Sequence, residues 1–393
     1  MIIKNVNIAT PPEREYVVGN ELDSLDILTN QDIEIHNGII TNIQPSSEDH
    51  NSDDWAIPAF TDPHTHLVFC GSRENEVDLK KSLGYDGILK AGGGIYSTVS
   101  STRSCDIDNL YFYTKERIIG MMMNGTSALE CKTGYGLDLE TEDKSLKVLE
   151  RLERDLNITI KKTLLAHVPP RGSSEGTFIK DFIDMIDEFR KRIDYVDVFV
   201  DDGAFSPDFA FKVIEFANSI GITGRVHLNE IRNLGGISKL SGLKIASMDH
   251  MVETTESEIS DIKSVVTLLP FTALTMGKSV NIFNSLKERG IIISVGSDSS
   301  PNTYLTSFLF VISIARQTTK MTLENLLNMA TLNSSYSLSL SRTTGSIHKG
   351  KEANIVLTRG NFRNIGYKFG EDLIRAVFIK GKKYMRSETD LSN

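Results

Sequence analysis

The chain has 393 residues, 40% of them hydrophobic and 24% charged, which excludes a disordered polymer and leaves room for one large barrel plus a smaller satellite domain. Its 43 basic residues face 52 acidic ones, and the net charge of −9, spread without single-sign blocks, argues against nucleic acid or an anionic membrane as a partner. The opening MIIKNVNIATPPERE has no charged n-region followed by an apolar run, and no stretch approaches the roughly 20 apolar residues of a membrane span, so a cytoplasmic protein is expected.

Residues 2–8 read as a first strand, and 31–43 alternate around an Asn37-Gly38 hairpin turn. A polar stretch, 45–54, separates them from the middle of the chain. There, strand patterns at 56–60, 126–131, 159–166, 195–200, 224–228, 245–250, 265–269 and 291–295 alternate with amphipathic helical stretches such as 141–156, 177–192, 207–219 and 279–289. About eight β-then-α units predict a parallel sheet closed into a barrel. Residues 353–357 and 373–384 read as further strands, with a turn at Lys380-Gly381. The expected fold is therefore α/β, a (β/α)8 TIM-type barrel over 56–344. A small β-sandwich domain is expected from both ends, 1–55 and 345–393.

Three cysteines, Cys70, Cys105 and Cys131, are widely spaced and form no CxxC pair. They cannot make a disulfide framework, and the odd count argues for a reducing compartment. Cys70 is expected as a small packed residue, its thiol open to oxidation through its closeness to His66.

The eight histidines carry the chemistry. His64 and His66 follow the first barrel strand, His167 ends the third, His227 the fifth and His250 the sixth, while Asp298 lies just past the eighth. The C-terminal strand ends of a (β/α)8 barrel form one rim, so these groups converge. His36, His50 and His348 fall outside it and are expected at the surface. A single histidine at a strand end is more often a structural, hydrogen-bonded residue; five on one rim point to a site. His-x-His on an extended segment sends both imidazoles to one side. With His227 and Asp298 they make a three-nitrogen, one-oxygen set that suits zinc, and also iron or manganese.

Glu230, three residues after His227, is placed to move a proton; its plain alternative is an acidic residue at a helix start. His250, next to Asp249, is either a second proton acceptor or a structural histidine. The segments Asp62-Pro63-His64-Thr65-His66 with Gly71-Ser72-Arg73, Gly92-Gly93-Gly94-Ile95, Lys132-Thr133-Gly134-Tyr135-Gly136, Ala166-His167, His227 to Glu230 and Asp249-His250 together resemble the imidazolonepropionase family, in consistent order from about residue 30 onward.

That family hydrolyses 4-imidazolone-5-propanoate to N-formimidoyl-L-glutamate, the third step of histidine degradation. The resemblance implies one metal ion per subunit, zinc or iron, held by His64, His66, His227 and Asp298, and a homodimer. It also implies substrate contacts from Arg73, Tyr135, His167 and Glu230; proton transfer in such a site is expected from Glu230, His250 and Asp298. Read without it, Arg73 is a surface arginine, Tyr135 a packed loop aromatic, and Gly92 to Gly94 a flexible turn that lacks the phosphate-loop pattern. Lys132 stands where some two-metal relatives carry a modified lysine and is not taken as a ligand. The run after Asp298 departs from the family pattern, and Ser300, Asn302 and Thr303 are expected to take over substrate contacts. The alternative activity is that of a related mononuclear aminohydrolase acting on a purine, pyrimidine or other small heterocycle. A barrel that serves only as a scaffold is the third reading.

Overall fold

β-Branched and other apolar residues at alternate positions near both termini build one sheet, and apolar runs in the middle of the chain build another. The computed structural model describes residues 1–48, 52–79, 82 and 93–384. Its strands are β1 Ile2–Thr10, β2 Asp26–His36, β3 Ile39–Pro45 and β4 Trp55–Pro58, then β5 Phe60–Asp62, β6 Thr126–Lys132, β7 Thr159–Ala166 and β8 Tyr195–Val200. They continue with β9 Thr223–Leu228, β10 Ile245–His250, β11 Val265–Leu268, β12 Ile293–Val295, β13 Ile355–Thr358, β14 Ile374–Ile379 and β15 Lys382–Tyr384.

The terminal strands form a small mixed sheet in the order β15-β14-β13-β4-β1-β2-β3. Its two hairpin turns lie against each other. Asn37 and Gly38, with φ of 50° and 80°, turn β2 into β3; Lys380 and Gly381, with φ of 46° and 75°, turn β14 into β15. A Cβ on Gly38 would stand 2.7 Å from the Lys380 carbonyl oxygen. Close approach as well as the left-handed backbone therefore calls for glycine there.

Strands β5 to β12 follow one another in chain order, every neighbouring pair parallel. The expected 56–60 strand is divided: Trp55–Pro58 pairs with β1 and β13 in the terminal sheet, and Phe60–Asp62 opens the barrel. The reason is that Ala59 carries the chain from one sheet to the other as its backbone N–H turns to the Asn354 carbonyl. The expected 279–289 helix is confined to Phe283–Glu288. Lys278, just before it, is tied to the Glu230 and Ile231 carbonyls at 3.0 and 2.8 Å.

The seam between β12 and β5 is closed beyond the strands themselves. Ser297 N–H donates to Asp62 Oδ1 at 3.1 Å, Asp298 N–H to the His64 carbonyl at 3.0 Å, and His66 N–H to the Ser299 carbonyl at 2.8 Å. The His-x-His segment and Asp298 are thus laced together by the bonds that complete the barrel. Helices pack outside, as with Leu139–Leu156, which starts where the Asp138 carboxylate caps Thr141 N–H at 2.8 Å and buries Leu146, Leu149 and Leu152.

The cysteine expectation is corrected by the fold. Cys70 and Cys105 are joined in a disulfide across 35 residues, and Cys131 alone stays free and buried. Spacing did not reveal this because the loop after His66 and the end of helix Ile95–Ser104 meet only in three dimensions. No helix among the described residues is long and apolar enough to cross a membrane.

Candidate metal and active site

The rim histidines do converge. His66 Nε2 lies 3.2 Å from His64 Nε2 and 3.3 Å from His227 Nε2, and Asp298 Oδ1 lies 3.5 Å from His66 Nε2 and 3.7 Å from His64 Nε2. All four residues are buried. His64 Nδ1–H donates to Asp249 Oδ2 at 2.7 Å, and His227 Nδ1–H donates to Asp197 Oδ1 at 3.1 Å. A carboxylate only accepts, so both rings present lone pairs at Nε2. The proton of His66 cannot serve two such lone pairs, and its Nδ1 is buried without a partner among the described residues. A cation among the three Nε2 atoms and the Asp298 carboxylate satisfies the converging lone pairs, so the residues present fit a metal ion. The atoms able to ligate fall into two overlapping groups, His64, His66, Asp298 and His64, His227, His250, each within 4.8 Å.

Electrostatics keeps His64, His66 and His250 neutral. Burial, then the charge of Lys132 and the neighbouring rings, holds His64 well below the ordinary histidine range. Burial and the surrounding histidines do the same to His66, and burial with His227 does so to His250. Neutral imidazole is the form that ligates. Burial raises the Asp298 carboxyl to about 6, against the hydrogen bond donated by Thr272 Oγ1 at 2.6 Å.

Alternation along a strand would send Asp249 and His250 to opposite faces. Both reach the site because His250, with φ of 72°, leaves the extended conformation and breaks the alternation, with Met251 at 59°. Asn229 before Glu230 and Asp298 are also left-handed, at 54° and 52°. Unfavourable backbone is thus concentrated where side chains are aimed into the rim. Glu230 Oε2 lies 3.5 Å from His250 Nε2, which is buried and has no hydrogen-bond partner among the described residues. Burial, then the charges of Asp298 and Asp201, pushes the Glu230 carboxyl well above its ordinary range. Asp201 accepts from the backbone N–H groups of Glu230, Ile231 and Arg232 at 3.0, 2.7 and 2.9 Å and so holds this turn.

On the other side of the cluster, Tyr135 and His167 rings lie 5.2 Å apart and 6.2 and 5.4 Å from His66. The Tyr135 loop is held by Glu142, whose carboxylate accepts from Gly134, Gly136 and Leu137 N–H at 2.7 to 2.8 Å. Arg73 is buried, and its Nη2 has no partner among the described residues. Ser300 and Thr303 turn toward each other, Oγ to Oγ1 at 2.9 Å; Thr303 also donates to the Asp298 carbonyl, and Ser300 Oγ accepts from Asn302 and Thr303 N–H at 3.3 and 3.2 Å. These hydroxyls brace the backbone behind Asp298.

Of the outlying histidines, His36 is exposed, whereas His348 is half-buried and hydrogen-bonded to the Pro11 carbonyl at 2.9 Å. His50 and Gly92 lie outside the described residues.

Sequence reasoning missed the charged layer beneath the histidines. Lys132 Nζ donates to Glu130 Oε1 at 2.6 Å and to Asp197 Oδ2 at 2.7 Å, with Asp249 Oδ2 at 3.8 Å. Arg225 stands 3.6 Å from both Glu130 and Asp249, and all five side chains are fully buried. The available signal was period two: Glu130-x-Lys132 and Arg225-x-His227 place charges on the inward face of otherwise apolar strands.

In the metal-free protein the cluster sets the sign of a pH effect. Burial and His227 lower the His167 imidazole from its ordinary 6.5 to about 3. The unfolded chain takes up this proton near 6.5 and the folded one does not, so stability falls as pH falls from about 6.5 toward 3. The urea midpoint of chelated protein is expected to drop between pH 7 and pH 5, and His167→Asn to flatten part of that drop. An unchanged slope in the variant would remove His167 from the effect.

The Amidohydrolase family model matches residues 55–383. Imidazolonepropionase from Thermoplasma acidophilum is 34% identical over 384 residues, covering 95% of this chain and 94% of that protein. Imidazolonepropionase from Bacillus cereus is 32% identical over 394 residues, with 94% and 93% covered. Among solved structures, 5-methylcytosine deaminase from Klebsiella pneumoniae aligns with a TM-score of 0.73 over 98% of both chains, at 14% identity, which speaks for the shared fold alone. Barrel, rim cluster and full-length relatives agree: the chain belongs to the amidohydrolase family and, within it, to the imidazolonepropionases.

Proposed function

We propose that the protein hydrolyses the cyclic amide C–N bond of 4-imidazolone-5-propanoate to give N-formimidoyl-L-glutamate, the third step of L-histidine degradation. The observation that carries this reading is an amidohydrolase histidine cluster in a chain that also buries an arginine whose Nη2 has no partner among the described residues, beside full-length likeness to imidazolonepropionases. His64, His66, His227 and Asp298 would hold one metal ion, zinc or iron. When bound, such an ion lowers the pKa of a coordinated water and polarises the carbonyl to be attacked.

The chain's own residues do the rest. Glu230 accepts the proton of the attacking water and delivers it to the ring nitrogen as the C–N bond breaks. His250 beside it assists the first transfer, and Asp298 is a second route for the proton to nitrogen. Neutral His167 donates to the oxygen that gains charge at the carbonyl. Arg73 binds the propanoate carboxylate, where a guanidinium offers paired donors, and Tyr135 holds the ring. Ser300, Asn302 and Thr303 belong to the substrate side of the loop after Asp298, with Ser300 and Thr303 acting through its backbone. The proposal includes a cytoplasmic homodimer. Its domains are a small β domain built from both ends of the chain and a barrel that ends near 344; the expected boundary at 56 moves to Ala59, because residues 56–58 pair in the terminal sheet and Phe60 opens the barrel.

The test is loss of the ultraviolet absorbance of freshly generated 4-imidazolone-5-propanoate, with the spontaneous rate subtracted, before and after chelation. Metal-dependent acceleration with formimidoylglutamate as product is expected. No acceleration by folded, metal-replete protein would overturn the proposal in favour of a heterocycle aminohydrolase.

A further inference from the structure

Arg73 and Glu76 form a turn, with Glu76 N–H donating to the Arg73 carbonyl at 2.9 Å. The side chains then meet again: Arg73 Nε–H donates to Glu76 Oε2 at 2.8 Å. The other carboxylate oxygen, Oε1, accepts from the backbone N–H of Gly94 at 2.7 Å. Gly94 is the residue before helix Ile95–Ser104; it has φ of 68° and gives that helix no side-chain cap. One buried carboxylate therefore ties the guanidinium to the glycine loop and to the start of a helix. Arg73 is 9% exposed and Glu76 8%, and Arg73 Nη2, buried, has no partner among the described residues.

We propose that Glu76 is the positioning residue for substrate-carboxylate recognition, holding the guanidinium by its Nε edge so that the Nη2 side faces the pocket of His167 and Tyr135. This rests on the reading of Arg73 given above. The charge of Arg73 is among those that lower the His167 imidazole, which agrees with this placement. Only glutamate meets the local demand. Two donors arrive at two different oxygens, and glutamine offers one acceptor, so its amide nitrogen would face either Arg73 Nε–H or Gly94 N–H. Aspartate is one methylene too short to bridge both. A guanidinium left unanchored loses the preorganisation that makes its second edge selective for a carboxylate. Glu76 thereby makes the grip on the anionic tail depend on the seating of the glycine loop.

The experiment compares Glu76→Gln, Glu76→Asp, Arg73→Met and the double variant Arg73→Met/Glu76→Gln as metal-replete protein. Glu76→Gln is expected to raise KM for 4-imidazolone-5-propanoate about tenfold with kcat within about threefold, the size of one charge-assisted hydrogen bond. Calorimetric affinity for imidazole-4-propanoate should weaken by a similar factor while that for imidazole, which lacks the tail, stays the same. The double variant should be no worse than Arg73→Met alone. Should Glu76→Gln fail to fold, Glu76→Asp is expected to show the same rise in KM. If Arg73→Met leaves KM and probe affinity unchanged, the reading of Arg73 is overturned and this proposal with it. If Arg73→Met weakens both and Glu76→Gln weakens neither, Glu76 alone is overturned. A fall in kcat with unchanged KM and probe affinity marks a structural role and also overturns it.

Discussion

Glu230→Gln is expected to lower kcat by about a thousandfold, within the range that a positioned general acid–base group contributes, while the metal stays bound. The glutamine is close in shape, and the turn that carries it is held by Asp201 through backbone N–H groups, so the substitution removes proton transfer and little else. The environment points the same way. A carboxyl pushed up by burial and by the charges of Asp298 and Asp201 is one that gains from accepting a proton and can later release it to nitrogen. Metal content by elemental analysis and single-turnover rates check both halves. Retained turnover would take Glu230 out of the mechanism, whereas loss of metal would make it part of the binding shell.

Lys132→Met is expected to destabilise the protein by about 3–5 kcal/mol, the cost of leaving buried charges without their partner, and to weaken metal binding about 10- to 100-fold. Burial opposes the charge on Lys132, but Asp197 and Glu130 outweigh it and keep the ammonium charged. Burial likewise opposes ionisation of Asp197, and His227 with Lys132 overcomes it, holding that carboxyl well below its usual range. The lysine is thus the shared support of the two carboxylates that set the tautomers of His64 and His227. Urea unfolding of the chelated variant isolates the stability effect, and competition with a chromophoric chelator reads affinity. A variant with parental midpoint and affinity would show that Arg225 alone suffices.

Much of this was legible in residue order. The strand and helix periods, with terminal β segments flanking them, implied the barrel and its small partner domain, because alternation of burial is a local property of the chain. Spacing exposed His64, His66, His167, His227, His250 and Asp298 for a related reason: strand ends of a closed parallel barrel share a rim, so position along the sequence translates into position in space. Lys132, Arg225, Asp197 and Glu130 were harder to read. Each is a charged residue in an apolar strand, and its role depends on which side chains from other strands it meets.

Tertiary structure alone decided the remainder. It joined Cys70 to Cys105, divided the first strand at Ala59, and used the left-handed backbone of His250 and Asp298 to direct side chains against the ordinary alternation. It also turned Arg73 from an apparent surface residue into a buried one, anchored through Glu76. The division has one physical reason. Periodicity, turn chemistry and ligand type are written into neighbouring residues, whereas pairing across the barrel, burial of charge and the cost of a strained φ arise only when distant segments compete for the same enclosed space.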